Sequence, residues 1–216
     1  MNRPSLPAAA ALAAAGALLL TACGGGDDKT KDGDRIAGAR DSKEQASPSA
    51  SKTEESTDRP KIALPKDLTY IFNWPSTGDA TEKAVLHDGE QFIKATDMAL
   101  AEQDPLHEAY RFYSEGEAAA GTEVYVKRFV DHKARTTGTY RFFKAAVSVK
   151  GGTASLVYCE DQSKAFNRYI KTDKVDKTPV TKNSYVFYNT SMRKNDQGVW
   201  VTEKMLSQRG AAQCRP

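Results

Sequence analysis

Cysteine, histidine and tryptophan are scarce: three, three and two among 216 residues. So few cysteines exclude a small scaffold in which disulfides replace a hydrophobic core. His87, His107 and His132 show no metal-ligand spacing, and neither HExxH nor CxxC occurs, so no metal site is predicted. Each falls off the apolar stripe of its helix and is expected at the surface. G-x-S-x-G, a Walker loop and G-x-G-x-x-G are missing too, which removes the common nucleophile, nucleotide and dinucleotide signatures. Motifs therefore predict no cofactor and no catalytic residue. Charge of one sign is also missing: 31 Lys+Arg face 28 Asp+Glu, a net charge of +3. No basic stripe is interleaved with stacking aromatics, so no nucleic-acid partner is expected. The longest apolar run, Ala8 to Leu20, has 13 residues. A membrane-spanning helix needs about 20.

That run has another meaning. Arg3 supplies a positive start, and 13 apolar residues fit the central region of an export signal. The run ends in Leu20-Thr21-Ala22-Cys23, followed by Gly24-Gly25-Gly26. This resembles the lipobox of bacterial lipoproteins. The resemblance implies cleavage after residue 22, a diacylglyceryl group on the Cys23 sulfur, and a chain anchored to the cell membrane on its extracytoplasmic side. Two acyl chains satisfy the rule that stable anchoring takes more than one. The Ala-rich signal and Gly-rich exit are similar to those of actinobacteria.

Residues 24–60 hold seven basic and nine acidic residues, with Ile36 as the single large aliphatic. Nothing here repeats at a period that would bury a face, so residues 23–60 read as a lipid-anchored disordered linker. A flexible coil of this length spans roughly 30–35 Å. From Lys61 the texture changes: both Trp, all nine Tyr and all eight Phe lie in residues 61–216, which read as one globular domain.

The first half of that domain predicts helices. Asp79-Ala80-Thr81-Glu82 reads as a capping box. Val85/Leu86, Gly89, Phe92/Ile93, Thr96 and Ala99/Leu100 then repeat at helical spacing. Asp104-Pro105 stops this helix and caps a short second one through Tyr113, which Gly116 ends. A third runs from about Glu117 to Ala134. The second half predicts strands: Thr139 to Lys150, a Gly151-Gly152 turn, and Thr153 to Asp161. A polar stretch from Gln162 to Lys182 precedes a last hairpin, Ser184 to Met192 and Val199 to Leu206. The fold class is α+β, three N-terminal helices on a curved antiparallel sheet of four or more strands.

This order resembles the nuclear-transport-factor-2-like superfamily, over roughly Pro75 to Cys214, where a curved sheet wraps a long helix into a cone. The long first helix and the Trp200-containing last hairpin carry the resemblance. With Cys23 taken by lipid, Cys159 and Cys214 remain as an even pair in an oxidising compartment, and a disulfide between them is predicted. A cysteine after the second strand and another at the C-terminus is also similar to exported lipoproteins with such a domain. In cone-shaped relatives the concave face lines a pocket, which makes Tyr140, Tyr185, Phe187 and Trp200 candidate pocket residues beside the reading that they are core. Glu160 and Asp161 point to opposite strand faces and cannot share one substrate. Asp161-Gln162-Ser163 reads as a turn leaving the strand.

The expected function is non-enzymatic: a tethered extracytoplasmic domain binding a protein partner or a small ligand. One alternative is an isomerase or cyclase resembling the ketosteroid-isomerase and SnoaL-type branches, which combine a carboxylate or His with a Tyr donor. The other is a cell-envelope module that binds anionic polymers.

Overall fold

The computed structural model describes residues 58–216. The expected export signal (residues 1–22), the Leu20–Cys23 lipobox and nearly all of the linker lie outside the described residues. No helix among those described is long and apolar enough to cross a membrane.

Among the described residues, three α-helices, one mixed sheet and two short 3-10 turns make up the fold. Strand β1 (Leu68–Asn73) comes first, then α1 (Ala80–Glu102), α2 (Glu108–Phe112) and α3 (Gly116–Asp131). Five strands follow: β2 (Ala134–Lys150), β3 (Thr153–Tyr169), β4 (Val175–Asp176), β5 (Tyr185–Lys194) and β6 (Trp200–Arg209). The sheet runs β1-β2-β3-β5-β6, with β4 paired to the far end of β3.

Local chemistry sets the helix limits. The Asp79 side chain accepts from the Glu82 amide at 2.8 Å, satisfying a donor that the first turn of α1 leaves free. Gln103 ends α1 in the left-handed region, φ 57°. Asp104 forms an Asx turn to the Leu106 amide, 2.9 Å, but the cap of α2 is His107. Its Nδ1 accepts from the Ala109 amide at 3.0 Å, and its Nε2 meets Glu102 at 2.9 Å. That pairing buries His107, so only His87 and His132 are exposed as expected.

The sheet departs from an all-antiparallel reading. Leu68–Asn73 pairs parallel with Gly138–Phe143. Six residues of alternating burial ahead of the helices form an edge strand that a helix-first reading passes over. The polar stretch after Asp161 is not a loop at its start, because β3 continues to Tyr169. The Asp161 carboxylate does accept from the Ser163 amide, 2.8 Å. That bond sits in a bulge: Thr139 faces Lys164 while Arg141 faces Asp161, so β3 carries one extra residue. Gly138 opens the same bend at φ +92°, where a Cβ would lie 2.2 Å from the Lys164 carbonyl oxygen. A second bulge falls between Phe143 and Ala146, with Lys144 at φ 53°. Bulges increase local twist and bend the bulged strand, and so curve the sheet toward the helices.

Helix α1 lies on the inner face of that curve. A Cβ on Gly89 would fall 2.6 Å from Leu156 Cδ2, so glycine lets helix and strand approach closely. Val85, Leu86, Phe142, Leu156, Met192 and Trp200 form the core there, and Phe92, Leu100, Tyr110, Tyr113, Val126 and Val199 join the three helices to β6. Asp88 is fully buried in this core. It accepts from the Trp200 amide at 2.8 Å and pairs with Arg59, whose guanidinium also stacks over Tyr113 at 5.8 Å. On the outer sheet face, Cys159 and Cys214 form the disulfide, Cα atoms 5.4 Å apart, against Phe143, Tyr185 and Phe187.

Candidate active site

The inner sheet face, α1 and α3 enclose a cavity of about 410 Å³. Strand side chains reach it at alternate positions, as the period of two requires. They are Tyr140 and Phe142 of β2, Tyr158, Glu160 and Gln162 of β3, Tyr188 of β5, and Met205, Ser207 and Arg209 of β6. Helix α1 adds Phe92, Ile93, Thr96 and Asp97, and α3 adds Gly121, Thr122 and Tyr125. Tyr125, at 42% exposure, and the exposed Arg209 mark the mouth.

Two buried carboxyl groups define its chemistry. Asp97 accepts from the Thr136 hydroxyl at 2.6 Å and from the Tyr70 hydroxyl. Burial pushes its pKa up to about 6, with the Thr136 and Tyr70 bonds working in the opposite direction. Glu160 is 6% exposed and accepts from Gln162 Nε2 at 2.9 Å. Burial raises its pKa to about 7; bonds from Tyr188 and Gln162 and the charge of Arg209 lower it, and the charge of Asp97 raises it. Burial thus raises the proton affinity of both acids in the cavity, and Glu160 can gain or lose a proton near neutral pH.

Around them stand tyrosines. Tyr158 and Tyr188 stack at 4.9 Å between ring centroids, and Tyr140 lies 5.8 Å from Tyr70. Burial and then the Asp97 charge hold the Tyr140 phenol well above its ordinary pKa, so it stays a hydrogen-bond donor. Its hydroxyl makes no hydrogen bond among the described residues. Thr122 Oγ1 is likewise buried without a partner. The cavity therefore presents two carboxyl groups and the unengaged Tyr140 hydroxyl, while the Thr122 oxygen is sealed off behind its surface. Among the described residues no cluster of His, Cys, Asp and Glu is grouped to hold a metal ion.

Of the four pocket residues expected from the sequence, Tyr140 lines the cavity. Tyr185 and Phe187 project to the outer face onto the disulfide, and their neighbour Tyr188 takes the inner position. Trp200 is 1% exposed in the core beneath, outside the cavity lining. Glu160 and Asp161 do face opposite ways: Asp161 pairs with Arg141 at 2.8 Å, and of the two only Glu160 enters the cavity. Weighing the two only as a pair passes over Glu160. Asp97 has a visible signal, an acid between Ile93 and Leu100 at helical spacing from both.

No protein-family model matches the chain, and no curated protein matches it in sequence. Solved structures do align with it. A protein of the nuclear-transport-factor-2-like family from Streptomyces avermitilis is 12% identical, TM-score 0.42, over 62% of this chain and 98% of its own. A ketosteroid isomerase-like protein from Erwinia carotovora atroseptica is 12% identical, TM-score 0.42, over 61% of this chain and 97% of its own. Aln2 from a Streptomyces species is 14% identical, TM-score 0.41, over 62% of this chain and 94% of its own.

Proposed function

We propose that the cavity is an acid–base site that moves a proton between two carbons of a small, uncharged carbonyl compound. We propose further that a diacylglyceryl group on Cys23 holds this site at the extracytoplasmic face of the cell membrane. One observation carries the catalytic reading: Glu160, a carboxyl group that changes charge near neutral pH, shares a buried cavity with the unengaged hydroxyl of Tyr140. The substrate is uncharged because the lining holds two acids and a single cation, Arg209, at the mouth. A buried anion would face both carboxylates.

With a β,γ-unsaturated ketone in the cavity, the Glu160 carboxylate takes the proton from the carbon between the carbonyl and the alkene. The C–H electron pair becomes a C–C π bond, and the carbonyl π pair moves onto oxygen, where the Tyr140 hydroxyl donates a hydrogen bond. Glu160 then returns its proton to the γ-carbon, where the β,γ π pair becomes the new C–H bond while the π pair between the carbonyl carbon and the α-carbon shifts to the α,β position. The electron pair on oxygen reforms the carbonyl, the conjugated ketone leaves, and Glu160 is a carboxylate again. Asp97 is a positioning residue: held by Tyr70 and Thr136, its charge raises the proton affinity of Glu160.

The test is conversion of cyclohex-3-enone to cyclohex-2-enone, followed by the absorbance of the conjugated product. Turnover above an equal concentration of free carboxylate supports the reading, and Glu160→Gln should lower it by roughly 10²–10⁴-fold. Equal rates for wild type and variant would sink it. A second reading, ligand holding without chemistry, draws support from Asp97, which already accepts hydrogen bonds from two hydroxyls.

A further inference from the structure

We infer that the end of the domain where α3 stops and β3 turns into β4 is a docking surface for anionic phospholipid headgroups. It touches the bilayer with its own side chains, whether or not Cys23 carries lipid. The inference is independent of the acid–base reading, since none of its residues lines that cavity.

Charge carries it first. Arg135 and Arg168 face each other across β2 and β3. The Ile170 amide donates to the Lys133 carbonyl at 2.8 Å, which sets the end of α3, with Lys127, Arg128 and Lys133, against the turn that carries Lys171 and Lys174. Lys177 follows directly after β4. Four acids, Asp67, Asp131, Asp173 and Asp176, stand among these eight cations. Residues 61–216 hold 23 basic and 19 acidic side chains, so their whole excess of four lies at this end, and the remainder holds 15 of each.

Three of those acids are already matched. Asp67 pairs with Arg135 at 3.0 Å and Arg168 at 2.8 Å, Asp131 with Lys127 at 3.1 Å, and Arg168 Nε donates to Asp173 at 2.7 Å. Arg128, Lys133, Lys171, Lys174 and Lys177 are exposed and have no ion pair among the described residues, with Asp176 as the one acid left beside them. Like charges held this close repel one another, and an anionic surface relieves that repulsion. The carbonyls of Arg128 and Val130, at the negative end of α3, would oppose a phosphate. They are taken by the His132 ring at 2.7 Å and the Lys133 amide at 3.0 Å.

Apolar groups set among the cations select a bilayer over a soluble polyanion. Ile170, in the turn, is 45% exposed. Beside it lies a hollow of about 210 Å³, lined by Phe129, Ala134 and Tyr169, with the exposed Arg128 and His132 also bordering it. A polyanion in water engages the cations alone. A bilayer also accepts an aliphatic side chain beneath its headgroups.

The probe is vesicles of phosphatidylglycerol mixed with phosphatidylcholine, sedimented with the full chain carrying Cys23→Ser, which cannot be acylated. Each result is the ratio of partitioning onto these vesicles to that onto phosphatidylcholine alone, so the apolar run of residues 8–20, shared by every variant, cancels. The ratio should be about 10² or more, and should approach one in about 1 M salt, where screening sets in beyond about 3 Å. Each basic residue at an anionic surface contributes roughly fivefold, so Lys171→Gln with Lys174→Gln should lower the ratio about 25-fold. Lys83→Gln with Lys194→Gln removes the same charge from exposed sites at the opposite ends of α1 and β3, and should change it less than about twofold. Ile170→Ser should lower it about fivefold and leave binding of soluble polyphosphate unchanged. A wild-type ratio of one overturns the inference, as does an equal loss in the Lys83 and Lys194 pair. Polyphosphate binding lost with Lys171 and Lys174, beside a wild-type ratio in Ile170→Ser, would make the surface a polyanion site and overturn it too.

Discussion

The Gln162 side chain joins Glu160 to the cavity mouth: its Nε2 donates to the Glu160 carboxylate at 2.9 Å, and its Oε1 accepts from Arg209 Nη1 at 2.8 Å. Arg209 is steadied in turn by the Asn183 carbonyl at 2.8 Å. An amide donor favours the charged form of a carboxyl group. Gln162→Leu should therefore raise the Glu160 pKa above about 7. Carbon-13 NMR of labelled glutamate reads that midpoint directly, and a fall would mean that Gln162 does not restrain the group.

Stability should fall as pH rises through the cavity's titration range. Glu160 and Asp97 both hold protons more tightly folded than unfolded, so they favour the folded state below their unfolded values near 4. That contribution is lost as pH climbs to about 7 for Glu160 and about 6 for Asp97. Glu160→Gln should remove roughly 3 kcal/mol of the drop between pH 5 and pH 8, measured by urea melts. Asp67 works the other way. Burial opposes its charge, but Arg135, Thr137 and Arg168 hold its carboxyl below the ordinary range. Its share is present above an unfolded value near 4 and is lost on acidification below that.

Arg59 should matter far more than its place near the start of the described residues suggests. Removing it leaves the fully buried Asp88 carboxylate without its cation. Arg59→Ala should cost about 3 kcal/mol, the usual penalty for an orphaned buried charge. Adding Asp88→Asn should recover part of that, because the amide oxygen still accepts from the Trp200 amide. Chemical denaturation of the two variants checks both steps.

Reduction of Cys159–Cys214 opens a loop of 55 residues and should cost roughly 4 kcal/mol by chain entropy. Intact mass of membrane-extracted protein, with and without reductant, reads the bridge together with the proposed anchor. The expected species begins at Cys23, carries a diacylglyceryl group, and exposes two thiols only after reduction. A chain still beginning at Met1 without added lipid would remove the membrane location.

Much of the fold is legible from local signals. The Asp79 cap, the apolar stripe of α1 and the Gly151-Gly152 turn each act within a few residues of one another. Strand β1 is not legible in this way, since its parallel partner lies some 70 residues on, at Gly138–Phe143. The extension of β3 past Asp161 is hidden for a related reason. Its polar residues read as loop, but Asn167 and Arg168 are held by pairing to β2 and β4. The site divides similarly. Tyr140 follows from strand alternation, whereas the inward choice of Tyr188 over Tyr185 and Phe187 depends on which face meets α1. Glu160 needs that same assignment of faces.

The pH dependence of enone isomerisation tests the central claim most directly. With Glu160 as the base, the rate should rise with pH through an apparent pKa near 7, and Glu160→Gln should abolish both the rise and most of the rate. A flat profile, or the same profile in the variant, would contradict the account.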